Sequence, residues 1–136
     1  MKRKDVERYE KVIVQLESIY SELSNLSKKT PNGPVNKFKL NFINETLVVM
    51  NYFLSKEYAP FKDFAKFDTD ELPSNSDVTF IISQYLQCAE IFRVDHITNI
   101  GYGHWAWVTD DIDFDDDTEN IAQTALRAHP PKSPRD

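Results

Sequence analysis

Apolar residues along the chain fall into three long stretches of helical period, each closed by a turn signal. Val6, Tyr9, Ile13, Leu16, Tyr20 and Leu23 step alternately by three and four, which keeps them on one face of a helix. Val12, Ile19 and Leu26 recur every seven residues and widen that face, as packing in a globular core requires. The pattern predicts a helix from about Lys4 to Ser27, stopped by the Pro- and Gly-bearing run from Lys28 to Pro34.

A second helix is predicted from about Val35 to Ser55. Leu40, Ile43, Leu47, Met50 and Leu54 form one face, and Phe38, Phe42, Val49 and Phe53 carry apolar surface almost all round, the mark of a central, buried helix. A narrow polar stripe of Lys37, Asn41, Asn44 and Asn51 interrupts it. Solvent exposure is the simpler reason for such a stripe; a hydrogen-bond ladder to another element is the alternative. Between Lys56 and Pro73, Phe61, Phe64 and Phe67 recur at every third position, which suits a short helical turn laying rings over its neighbours.

The third helix should open at the signal from Pro73 to Asp77, capped by Ser76 or Asn75, and end near Ile97. Its apolar face is Val78, Ile81, Ile82, Tyr85, Ala89 and Phe92. From Gly101 to Val108 small and large residues alternate, placing Trp105 and Trp107 on one side of an extended segment. No second strand is recognisable, so residues 100–109 are expected to be an irregular or edge segment. A short helix from about Thr118 to Arg127 follows, and the Pro-rich tail 130–136 is expected to be disordered. The expected fold is therefore all-α or nearly so: a small bundle of three long helices plus a short C-terminal one, in a single domain over residues 1–129.

Composition narrows the function. Only three glycines occur, too few for a turn-rich β fold or a phosphate-cradling loop. Lys and Arg number 16 against 22 Asp and Glu, a net charge of −6, which speaks against a nucleic-acid ligand and for a protein with a basic surface. Cys88 stands alone and can form no intrachain disulfide. The charged start from Met1 to Arg8 has no apolar core after it, and no apolar stretch approaches the ~20 residues that span a bilayer, so a cytoplasmic site is expected.

Two clusters carry candidate chemistry. Arg93 and His96 are three apart on one helical face and could reach a single phosphate, the basis of an alternative reading as a helical phosphodiesterase or ribonuclease. In this one motif the chain resembles the HEPN ribonucleases, helical domains with an Arg and a His near the end of one helix, although their pair is spaced more widely. The second cluster is the acidic run from Asp110 to Glu119. Asp111, Asp113 and Asp115 have the spacing of an EF-hand loop, but Asp116 stands where that loop needs Gly and Ala122 where it needs a bidentate Glu. No zinc motif or nucleophile turn occurs, so no metal and no cofactor are expected.

Acids beside aromatic rings make instead a candidate binding surface of Tyr102, Trp105, Trp107, Asp113, Asp115 and Asp116, the alternative being that the same rings cap the end of the bundle as core. The favoured function is a non-catalytic interaction module of the inhibitor, antitoxin or immunity type. Mimicry of nucleic acid by the acidic run is a further alternative. A homodimer through the heptad-spaced first helix is also allowed.

Overall fold

The computed structural model describes residues 1–132. It is mostly helical, with four helices and a small three-stranded sheet. In chain order these are α1 (Arg3–Lys29), α2 (Lys37–Tyr58), α3 (Asn75–Asp95), β1 (Ile97–Gly101), β2 (His104–Trp107), α4 (Thr118–Thr124) and β3 (Arg127–Ala128). The chain divides into two compact units, one of Tyr9–Ala89 and one of Met1–Arg8 with the chain from Glu90 onward.

In the first unit the predicted apolar faces are the buried ones. Tyr9, Val12, Leu16 and Leu23 of α1, Leu40, Leu47 and Met50 of α2, and Val78, Ile82 and Tyr85 of α3 are all buried. The Tyr9 ring meets Phe53 edge-on at 5.4 Å, and its hydroxyl donates to the Ala89 carbonyl at 2.6 Å, so the one polar atom of that buried side chain is satisfied. Of the residues that recur every seven in α1, Val12 is buried and Ile19 and Leu26 are half-buried.

Caps fix the helix starts. The Asn36 side chain accepts from the Lys39 amide at 2.8 Å and starts α2. Ser74, not Ser76 or Asn75, accepts from the Asp77 amide at 3.1 Å at the head of α3. Asn75 instead turns to the preceding connection, donating to the Thr30 carbonyl at 2.9 Å. At Ser55 the backbone leaves helical geometry (φ 50°, ψ −165°), where the sequence pattern placed the end of α2.

Two members of the polar stripe of α2, Asn44 and Asn51, form a hydrogen-bond ladder, while Lys37 and Asn41 are exposed. Asn44 exchanges two bonds with the Phe67 backbone, at 2.8 and 2.9 Å, and Asn51 donates to the Ala65 carbonyl at 2.9 Å. Tyr85 donates to the other end of Asn51 at 2.7 Å. Burial raises the Tyr85 phenol above its ordinary range, although the bond to Asn51 opposes that shift. Held this way, the Phe-rich connection needs no helical turn of its own and has none. Its rings form a chain: Phe64 packs on Phe67 at 5.0 Å and on Tyr85 at 6.3 Å.

The second unit corrects the expectation of an irregular segment at 100–109. β1 and β2 pair antiparallel as a hairpin, with Ile97 opposite Trp107, Thr98 opposite Ala106 and Asn99 opposite Trp105. The two-residue loop is Tyr102 and Gly103, both at positive φ (56° and 76°), the geometry a tight hairpin of this length demands. β3 completes the sheet on the other edge of β2, in the order β1-β2-β3. The buried apolar residues of this unit are Val6, Phe92, Ile97, Ala106, Trp107 and Ile121. The last helix is shorter than expected and stops at Thr124, because the chain must extend by Arg127 to pair with Ala106.

Of the tail expected to lack order, residues 130–132 are fastened to α3: Arg93 donates to the Pro130 carbonyl at 2.9 Å, and the Lys132 amide donates to Glu90 at 2.9 Å. Residues 133–136 lie outside the described residues. No helix among those described is long and apolar enough to cross a membrane.

Candidate partner-binding site

Both sequence-derived clusters lie in the second unit, and their geometries differ. Arg93 is 8% exposed and forks onto Glu90, with Nε to Oε1 at 2.7 Å and Nη2 to Oε2 at 2.8 Å. Its Nη1 donates to the His129 carbonyl at 2.6 Å. A planar guanidinium so engaged is a clasp between α3 and the C-terminal segment, with its fork directed at a carboxylate rather than an open cleft. Burial would raise the Glu90 carboxyl, but the hydrogen bonds from Arg93 and the Lys132 amide outweigh it and hold the group below the ordinary carboxylate range.

His96 lies on the same helix end. Its ring stacks on Phe92 with centroids 4.1 Å apart, and Nδ1 is 2.6 Å from the Phe92 carbonyl oxygen. A carbonyl only accepts, so Nδ1 is the donor in this contact. Arg93 is thus turned to Glu90 and the C-terminal segment, and His96 to Phe92 of its own helix.

The acidic run has a different form. Its first part is tied to the N-terminal segment: the Asp110 amide donates to the Met1 carbonyl at 3.0 Å, and Arg3 Nε donates to Asp111 at 2.6 Å. Arg3 Nη2 also reaches the Thr124 carbonyl. The Arg3 bond holds the Asp111 carboxyl below its usual range. Asp117 caps α4 by accepting from the Asn120 amide at 2.8 Å. Asp116 takes the Asn120 side-chain amide and the Asp117 backbone amide, and these bonds lower its carboxyl too.

Asp113, Asp115 and Asp116 remain exposed, and no Lys or Arg pairs with any of them among the described residues. Asp111, Asp113 and Asp116 line one open cleft of about 550 Å³, with Arg3, Asn120 and Thr124 on its other walls. Arg3, Asn120 and Thr124 were not singled out by sequence. Only the basic start of the chain opposite an acidic run hinted at Arg3, since charge complementarity carries no register. No group of three His, Cys, Asp or Glu side chains among the described residues is arranged to hold a metal ion.

The rings separate. Tyr102 at the hairpin tip is 95% exposed, and Trp105 is half-buried. Trp107 is 1% exposed, which corrects its assignment to a binding surface. It lies in the central strand, level with Ile97 on one side and donating its amide to the Leu126 carbonyl at 2.9 Å on the other, so its ring is core.

Tyr102 is unusual in a second way. Its φ of 56° is a left-handed conformation that costs an L-residue with a Cβ about 1–2 kcal/mol, and Asn or Gly is the ordinary occupant of such a turn position. A fully exposed aromatic ring held at a backbone cost gains nothing for the fold. No family model, curated protein or solved structure matches the chain.

Proposed function

We propose that the chain is a cytoplasmic, non-catalytic protein-interaction module of the inhibitor, antitoxin or immunity type, with its three long helices forming a supporting bundle. Its docking surface is Tyr102 and Trp105 with the carboxylates of Asp113, Asp115 and Asp116, and its partner presents a basic surface. The observation that carries this reading is Tyr102: an exposed ring in a strained turn position serves no packing purpose, and such strain concentrates at functional positions. The unpaired carboxylates add steering for a positive partner and fix its register. Engagement of Arg93 by Glu90 and by the tail favours binding over phosphodiester chemistry at that cluster.

Two variants test the proposal. Tyr102→Asn relieves the left-handed strain and should leave stability unchanged or raise it by up to about 1 kcal/mol, while weakening the partner complex at least about tenfold. Affinity capture from native cells followed by mass spectrometry should return a basic protein with the wild-type chain. The Asp113→Asn, Asp115→Asn, Asp116→Asn variant should lose it. Equal recovery with both variants would remove this surface from consideration.

A further inference from the structure

The geometry points to a second binding face, on α2. This helix buries Leu40, Leu47, Met50 and Leu54 on one side, yet its opposite side is only partly polar, with Asn41 and Glu45 set among apolar residues. Phe38 is 72% exposed, Phe42 54%, Val48 59% and Tyr52 65%. Phe38 and Phe42 touch edge-on at 5.1 Å, covering one another only in part. Scattered apolar residues are normal on a surface, but four along one stripe of one helix form a patch of the kind that marks a contact.

Their spacing identifies the occupant. Phe38 and Phe42 stand seven and three residues before Glu45, and Val48 and Tyr52 stand three and seven after it. The stripe is therefore symmetric about Glu45. A two-fold axis past Glu45 would lay a second copy antiparallel, bringing Phe38 level with Tyr52 of the second copy and Phe42 level with its Val48. Isologous contact demands such self-complementary spacing, and an unrelated partner does not. We infer that α2 pairs with α2 of a second copy about this axis.

Area and charge set the strength. From their exposures the four side chains present on the order of 500 Å². Two copies would then remove roughly 1,000 Å² from water, the low end for a specific interface, which suits a reversible dimer. The two Glu45 carboxylates meet at the axis, and their helix neighbours one turn away are Asn41, Phe42, Val48 and Val49, none of them basic. Like charge at the centre holds the affinity down.

Sedimentation equilibrium of the full chain over a concentration series tests this. The wild-type chain should show a monomer–dimer equilibrium. Phe42→Lys should weaken it at least about tenfold, with Tyr52→Lys repeating that result from the other end of the stripe. Glu45→Gln should tighten it about fivefold by removing the central repulsion. A wild-type chain that stays monomeric through the high-micromolar range would overturn the inference and leave the face to some other partner. Dimerisation indifferent to both lysine substitutions would place the contact elsewhere. Failure of Glu45→Gln to tighten the dimer would contradict the two-fold axis at that residue.

Discussion

Trp107→Ala is expected to destabilise the protein by about 3–5 kcal/mol, the range for deleting a large ring from a closed core. The ring is 1% exposed and belongs to the central strand of the sheet, so its removal leaves a cavity that two flanking strands cannot close without breaking register. Against a total stability of about 5–15 kcal/mol, that loss is a large fraction. Denaturant unfolding followed by fluorescence measures it, with Trp105 as the remaining reporter. Trp105→Ala, at a half-buried position, should cost distinctly less. Equal and small losses for both rings would mean that Trp107 is not core and would restore it to the candidate binding surface.

Breaking the Arg93–Glu90 clasp should produce the second large effect. Removing one partner of a buried ion pair strands the other charge, and Arg93→Ala is expected to cost about 3 kcal/mol. This is the low end of the range, because the Glu90 side chain keeps 21% exposure. The loss should be local in form: backbone amides of residues 126–132 should exchange faster, since the guanidinium holds the His129 and Pro130 carbonyls. Replacing both members together, Glu90→Leu with Arg93→Met, should recover part of the loss by leaving no charge unpaired.

The clasp also carries a pH dependence. The folded-state carboxyl of Glu90 is held below its ordinary value, so the folded state binds its proton less readily than the unfolded chain. The stabilisation is complete above the ordinary carboxylate range and is lost as pH falls through the lowered folded-state value. In wild type the stability lost on acidification should exceed that lost in Glu90→Gln, which has no carboxyl to titrate at this position.

Much of the helical part was legible because period and caps are local properties. The first helix was placed to within two residues at each end, and the end of the second at Ser55 matches a real break in backbone geometry. What the pattern hid has physical reasons. β1 follows α3 after one residue, with no Gly or Pro between them, so the change from helix to strand carries no turn signal. β3 is two residues long, too short for alternation to register, and exists only because β2 offers it an edge. Alternation correctly put Trp105 and Trp107 in an extended segment, but burial of one ring depends on strand order, which period cannot encode.

The second helix misled in an instructive way. Apolar surface all round reads as central burial, yet one face buries its residues and the other leaves Phe38, Phe42, Val48 and Tyr52 in solvent. Period reports which residues share a face and not whether anything covers it. The asparagine stripe shows the converse. Asn44 and Asn51 looked like a solvated edge, and they instead bind the backbone of a connection that has no regular structure to satisfy its own amides. At the acidic run, the local uses of Asp116 and Asp117 follow from helix capping, whereas the tie of Arg3 to Asp111 joins residues more than a hundred positions apart.

Association kinetics with the captured partner test the interaction surface most directly. The wild-type rate constant, followed by stopped-flow at rising ionic strength, should fall steeply, because exposed carboxylates steer a basic partner only within a screening length. The Asp113→Asn, Asp115→Asn, Asp116→Asn variant should unfold at nearly the same denaturant midpoint, lowered only slightly by the weakened bonds at Asp116. At low salt it should associate at least about tenfold more slowly, with a much flatter salt dependence. Equal rates and equal salt slopes for the two proteins would contradict the account.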